Sequence, residues 1–182
     1  MSVETNKKFG VYLHVPFCVR RCDYCAFATW TDREHLIDEY LDACRTQART
    51  ASTNLPDITS VFIGGGTPNL VPADALMSIF RELPIAPAAE FTVECNPDLV
   101  DRQQMETYVA AGGNRVSLGV QSMVPHVLKS LGRDHNPHNV YEAVEIIREA
   151  GIAHLNLDLI YGAKGESISD WTTSVESALA LR

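Results

Sequence analysis

EFTVECNP, residues 90–97, sorts its side chains by kind. In an extended chain Phe91, Val93 and Cys95 share one face, and Thr92, Glu94 and Asn96 share the other. Pro97 then stops the strand. The same division recurs in three more stretches. In GVYLHV (10–15), Val11, Leu13 and Val15 oppose Tyr12 and His14. In NRVSLGVQS (114–122), Val116, Leu118 and Val120 oppose Arg115, Ser117 and Gln121. In IAHLNLDLIYG (152–162), Leu155, Leu157 and Leu159 oppose His154, Asn156 and Asp158. Parallel strands covered by helices on both sides are apolar on both. An unpaired buried polar group costs ~1–3 kcal/mol, so several together would offset most of the ~5–15 kcal/mol that holds a domain folded. The polar faces must therefore meet water, each other or a ligand.

Helical patterns separate these strands. TDREHLIDEYLDACRTQART (31–50) has apolar residues at 36, 37, 40, 41 and 44, and Thr31 with Glu34 fits a capping box. SVFIGGG (60–66) reads as a buried strand running into glycines, and Pro72 opens a helix carrying Leu76, Ile79, Phe80 and Leu83. Further helices are expected over 101–113, 136–151 and 169–182. Five successive βα units imply a parallel sheet with right-handed crossovers. The polar faces favour a curved sheet with helices outside over a flat, doubly wound one. The expected fold is α/β, a partial barrel of the TIM type with five βα units present.

The chain has 182 residues and a formal charge of −8, which suits one globular domain and argues against a phosphate backbone as partner. No apolar run approaches the ~20 residues of a membrane helix, and the start MSVETNKKFG has no apolar signal core. Five cysteines with three crowded together read as metal ligands in a reducing compartment, so a cytoplasmic protein is expected.

Those three lie in HVPFCVRRCDYCAF (14–27), where Cys18, Cys22 and Cys25 are spaced CxxxCxxC. The stretch follows the first strand, at the sheet edge where βα folds carry their active sites. Three thiolates in one loop suit an iron–sulfur cluster with one exchangeable iron. The alternative is a zinc site completed by a remote ligand, and no second CxxC or HxxxH half is present. Cys44 and Cys95 read as packing residues, and His14 and His154 as interior histidines without a role. GGGTP (64–68) lets backbone approach a ligand closely, but no Lys-Ser/Thr follows as in a phosphate loop. Arg133, in the turn-rich SLGRDHNP (130–137), is either a surface arginine or a two-bond grip for a carboxylate.

YLHVPFCVRRCDYCAF, FIGGGTPNL, FTVECNPD, GGNRVSLGVQS, LKSLGRDH and LNLDLIYG occur in that order from Tyr12 to Gly162. This ordered set resembles radical S-adenosylmethionine enzymes. More narrowly, it resembles the oxygen-independent coproporphyrinogen III oxidases and their haem-chaperone relatives, over nearly the whole chain. The resemblance implies a [4Fe–4S] cluster on Cys18, Cys22 and Cys25. It implies contacts to S-adenosylmethionine from Tyr12, Tyr24, Gly65, Gly66, Thr67, Glu94, Gln121, Arg133 and Asp158. Gly65, Gly66 and Thr67 match the positions at the methionine amino group, and Asp158 suits ribose hydroxyls. The implied reaction is one-electron cleavage of S-adenosylmethionine to a 5′-deoxyadenosyl radical that takes hydrogen from substrate.

The oxidases carry a fourth cysteine two places after the third, where this chain has Phe27. They also have an extension before the first strand, in place of the short polar lead seen here. Both departures resemble the haem-chaperone branch, which makes haem a third expected ligand. The HNxxYW motif of that branch does not occur in these 182 residues, and Lys164 replaces a proline usual in YGAKGES (161–167). The chain is expected to be a radical S-adenosylmethionine core cut before a sixth βα unit and lacking a C-terminal region. Expected partners are haem or a porphyrinogen, a one-electron reductant of flavodoxin or ferredoxin type and a membrane-associated haem acceptor. A genuine coproporphyrinogen oxidase and a zinc-stabilised structural module stand as the alternatives.

Overall fold

The computed structural model describes residues 8–181. Five strands, β1 (Gly10–Val15), β2 (Ile58–Gly65), β3 (Ile85–Cys95), β4 (Arg115–Gln121) and β5 (His154–Leu159), form one sheet. They pair in the order β1-β2-β3-β4-β5, every pair parallel. A doubly wound sheet reverses its strand order at a switch point and so places helices on both faces. Here the order never reverses. Successive right-handed crossovers then put every helix on the same side, and the bare face curls inward. This is the partial barrel that the polar faces predict.

The outer face is the core. Val15, Val61, Ile63, Phe91, Val93, Val116 and Leu118 are buried together against the helices. These are α1 (Ile37–Ser52), α2 (Ala73–Ser78), α3 (Arg102–Ala110), α4 (Pro125–Ser130), α5 (Pro137–Glu149) and α6 (Ile168–Ala180). Register sets aliphatic residues side by side, as Val93 beside Val116 and Leu118 beside Leu157. On the inner face the polar residues satisfy one another. Arg115 reaches Thr92 Oγ1 at 3.3 Å and Glu90 at 3.8 Å, and the Asn156 amide donates to Ser117 Oγ at 3.0 Å.

Several local expectations change. Helix α1 starts at Ile37 after a single 3-10 turn (Glu34–Leu36), and no side chain caps either element, so the Thr31–Glu34 box does not form. The capping box is instead at α6, where Ser167 and Asp170 bond each other's backbone N–H. Strand β3 starts five residues early, at Ile85, and α4 occupies a stretch with no helix expected. His154 is exposed at the start of β5, not interior. Cys95 is buried and Cys44 packs against the core, as expected. Arg182 and residues 1–7, the polar lead, lie outside the described residues. Among the described residues no helix is long and apolar enough to cross a membrane.

One buried polar contact ties the last helix to the sheet. Ser174 on α6 is 1% exposed, accepts from the Met123 N–H at 3.1 Å and pairs with Ser122 Oγ at the same distance. Ser174→Ala strands a buried N–H, so a loss of about 1–3 kcal/mol is expected in urea unfolding. Ser174→Cys, which keeps a weak acceptor, should recover part of it.

Candidate functional site

The C-terminal ends of the strands open on a cavity of about 510 Å³, within the range of small-molecule sites. Its upper wall is the loop after β1. Trp30 N–H donates to the Pro16 carbonyl at 2.8 Å and Cys18 N–H to the Trp30 carbonyl at 3.1 Å, so residues 18–29 close into a loop. Within it, Cys25 N–H donates to the Cys22 carbonyl at 3.1 Å. Cys18, Cys22 and Cys25 all border the cavity. Cys18 is buried and the other two are half-buried. Burial pushes the Cys18 thiol up, and the Thr67 and Thr29 hydroxyls oppose that shift. Among the described residues no three His, Cys, Asp or Glu side chains converge closely enough to share one metal ion.

The glycine run after β2 holds that loop in place. Gly66 N–H donates to the Val15 carbonyl at 2.7 Å and Thr67 N–H to the Phe17 carbonyl at 2.8 Å. Gly65 has φ +112° and lies under the His14 ring, so a side chain there is excluded twice. Its N–H donates to Glu94 Oε2 at 3.1 Å. His14 Nε2 faces the Ala28 carbonyl at 2.8 Å, which can only accept. Nε2 therefore carries the hydrogen, and Nδ1 accepts from Tyr12 Oη at 2.8 Å.

Glu94, Gln121 and Asp158 reach the cavity from β3, β4 and β5. Asp158 accepts from Ser117 Oγ at 2.9 Å and from the Asn156 amide at 2.6 Å. Burial raises the pKa of Glu94, the Gly65 N–H opposes this, and Asp158 raises it further. Gln121 has φ +64°, the one non-glycine residue of positive φ among those described. The β4–β5 register slips between Gly119 and Gln121, and that bulge turns Gln121 into the cavity.

Arg133 lies across the cavity. Its NH2 donates to the Gly119 carbonyl at 2.9 Å and to Asn96 Oδ1 at 3.2 Å. Asn96 is fixed in turn by a reciprocal bond with Asn69, amide to backbone in both directions at 2.8 and 3.0 Å. The cavity thus offers the Arg133 guanidinium with the Glu94 and Asp158 carboxylates, and Arg20, Arg21, Asp98 and Asp134 also border it, a set that suits a ligand bearing a carboxylate and positive groups. Of the residues implied by resemblance, eleven of twelve border it: Cys18, Cys22, Cys25, Tyr24, Gly65, Gly66, Thr67, Glu94, Gln121, Arg133 and Asp158. Tyr12 does not. It is 57% exposed, stacks on Phe62 and hydrogen-bonds His14 behind the site. Asn96, Ser117 and Asn156 lie on the faces that alternation marks as polar, though not named as site residues, and Asn69 and His135 were not anticipated. The Asn in GTPNL and in ECNP were the available signal.

His135 is 5% exposed, and its pKa is lowered to about 4, first by burial and then by the adjacent Arg133. The unfolded chain takes up this proton near pH 6.5, the folded chain only near 4. Stability from this group is therefore full above pH 6.5 and declines as pH falls through that window. Urea midpoints measured at pH 7 and pH 5 are expected to differ less in His135→Leu than in the parent chain.

Comparison with known proteins decides among the chemistries this cavity allows. A family model described as the radical SAM superfamily matches residues 12–178. The chain belongs to the radical SAM superfamily. A protein named heme chaperone HemW from Mycobacterium tuberculosis is 41% identical over 96% of this chain and 47% of its own length. An oxygen-independent coproporphyrinogen III oxidase from Paracoccus denitrificans is 33% identical over 99% of this chain and 42% of its own. The solved coproporphyrinogen III oxidase HemN from Escherichia coli, described as a radical SAM enzyme, superposes with a TM-score of 0.87 at 26% identity. It is covered over 42% of its length, against 96% of this chain. The chain thus spans about half the length of the curated relatives it matches. Membership in the radical SAM superfamily implies a [4Fe–4S] cluster and S-adenosylmethionine. The residues present fit both groups: three thiols on one wall, and a glycine cradle that a Cβ would fill, next to Glu94 and Arg133.

Proposed function

We propose that this chain is the cofactor-binding core of a haem-handling radical SAM protein of the chaperone kind. The observation that carries the reading is the cysteine loop. It presents three thiols to the cavity, and Phe27, 59% exposed, stands where oxidases of the resembling group place a fourth cysteine. The 41% identity to a heme chaperone supports the same branch.

Cys18, Cys22 and Cys25 would hold the cluster, leaving one iron for S-adenosylmethionine. Arg133 would take the carboxylate of that molecule, and Gly65, Gly66 and Thr67 would lie along its amino group. Asp158, held by Ser117 and Asn156, would accept from ribose hydroxyls, with Glu94 and Gln121 beside it. Tyr24 lies near Arg133 and Cys22 on the cavity wall, and partial burial raises the pKa of its hydroxyl. Tyr12 serves behind His14. When bound, the two cofactors supply one-electron chemistry, and the protein contributes orientation and exclusion of water. A flavodoxin- or ferredoxin-type reductant, a cytoplasmic location and a membrane-associated haem acceptor complete the reading.

A genuine coproporphyrinogen oxidase is the second reading, favoured by the TM-score of 0.87 to HemN. Anaerobic reconstitution with iron and sulfide is expected to give a brown protein absorbing near ~400 nm, as thiolate-bound clusters do. Haem should then bind stoichiometrically, with coproporphyrinogen III left unconsumed. Conversion of coproporphyrinogen would establish the second reading. A colourless protein with a single zinc would overturn both.

A further inference from the structure

Arg133 carries a full charge, yet none of the described carboxylates lies within ion-pair distance of it. Its orientation must come from neutral groups. Two are the Gly119 carbonyl and Asn96 Oδ1, both on NH2. The third is His135, whose Nδ1 accepts from Arg133 Nε at 3.3 Å. NH1 is left directed to the cysteine loop, 4.0 Å from Cys22 Sγ.

His135 is an expensive residue to keep. It is 95% buried, and the Val120 carbonyl beside the ring is placed too poorly to satisfy Nε2 fully. Buried polar atoms without good partners are rare, and each needs an explanation. A packing role alone would be better served by leucine, which fills similar volume without a poorly satisfied nitrogen. The tautomer supplies the explanation. Nδ1 can accept from Arg133 only if Nε2 holds the ring hydrogen, and that nitrogen is the poorly satisfied one. The ring's close hydrogen bond is therefore the one it accepts from Arg133, with the Val120 carbonyl beside the ring as a weaker partner for Nε2.

The neighbours in sequence anchor the same segment. An added Cβ at Gly132 would meet Asp23 N at 2.9 Å, and Asp23 N–H donates to the Leu131 carbonyl at 3.2 Å. Asp134 forms an ion pair with Arg20 in the cysteine loop. Gly132 and Asp134 thus hold this turn against the cysteine loop on both sides of Arg133.

We propose that His135 is a positioning residue: it grips Arg133 Nε so that NH1, the guanidinium nitrogen left free of the sheet, is aimed at the carboxylate of bound S-adenosylmethionine. This rests on the reading of Arg133 given above. Without the grip, Arg133 keeps its charge but gains a rotational freedom that must be given up on binding.

The test is S-adenosylmethionine binding to the anaerobically reconstituted protein by equilibrium titration, following the change in the cluster's electron paramagnetic resonance signal. His135→Leu is expected to weaken binding about tenfold or more, the scale on which orienting partners act at such sites. Its iron content should match the parent chain, and it should still unfold cooperatively in urea at pH 7. His135→Asn, whose Oδ1 can stand where Nδ1 stood, should restore most of the affinity. In an Arg133→Met background, adding His135→Leu should change nothing further. If Arg133→Met binds as tightly as the parent chain, the reading of Arg133 fails. If Arg133→Met binds weakly and His135→Leu binds normally, the positioning role fails and that reading stands. Additive losses in the double variant would likewise overturn it.

Discussion

Gly66→Ala is expected to strip the protein of most of its iron while leaving the barrel folded. A Cβ at position 66 would sit 2.6 Å from the Phe17 carbonyl oxygen, 2.8 Å from that of Val15 and 3.0 Å from Cys18 Sγ. Two of these are backbone atoms that cannot rotate away. The methyl can fit only if the start of the cysteine loop moves, breaking the Gly66–Val15 and Thr67–Phe17 hydrogen bonds of 2.7 and 2.8 Å. Overpacking of this kind costs about 1–3 kcal/mol, which a domain stable by ~5–15 kcal/mol survives. Cluster binding has less tolerance. Cys18 directly follows Phe17, so the displacement shifts one of three ligands. Disturbing the support of a metal ligand lowers affinity by ~10–100-fold. Iron and sulfide analysis after reconstitution reads the effect. Gly112→Ala is the control: φ there is +95° but nothing lies within 4 Å of an added Cβ. It should cost about 1–2 kcal/mol of backbone strain and no iron. Full iron content in Gly66→Ala would mean that the loop is not held from beneath.

What the sequence made legible follows from how local each signal is. Alternation in β1, β3, β4 and β5 needs only neighbours two residues apart, and it led to the right curvature. The three cysteines sit within eight positions, and one turn brings them together. Tyr12 and Tyr24 show where this ends. Both are tyrosines near the cysteine loop, yet Tyr24 lies on the cavity and Tyr12 lies a layer below it, stacked on Phe62. Strand depth separates them, and depth depends on the register of β1 against β2. The Thr31–Glu34 box failed for a related reason. Trp30 is held to Pro16 by a ladder bond, so the chain leaves the loop extended and turns helical only later. Asn69 and Asn96 are 27 residues apart and make sense only as a pair. His135 was visible as part of LGRDH, but its burial and tautomer are tertiary facts.

Gln121→Gly is expected to leave folding stability unchanged or slightly raised while S-adenosylmethionine binding falls by about tenfold or more. The two effects have different origins at one residue. In the left-handed region a side chain costs about 1–2 kcal/mol that glycine does not incur. Glycine returns about 0.5–1 kcal/mol of that through its more flexible unfolded state. The backbone role survives, because the Gln121 carbonyl still accepts from Ile160 N–H at 2.9 Å and the bulge keeps its register. The amide is what disappears. Gln121 borders the cavity with its amide nitrogen beside Gly119, and a hydrogen bond to a charged group there is worth about 1.5–3 kcal/mol, or roughly 10–100-fold in affinity. Gln121→Ala separates the two contributions: it loses the amide but keeps the strain, so it should bind as poorly as the glycine variant and unfold more easily than it. Strain retained in a strand end that glycine could relieve is explained only if the side chain at that position is used. A glycine variant that binds S-adenosylmethionine normally would leave the distortion of β4 without a purpose, and would move the cofactor site away from the end of that strand.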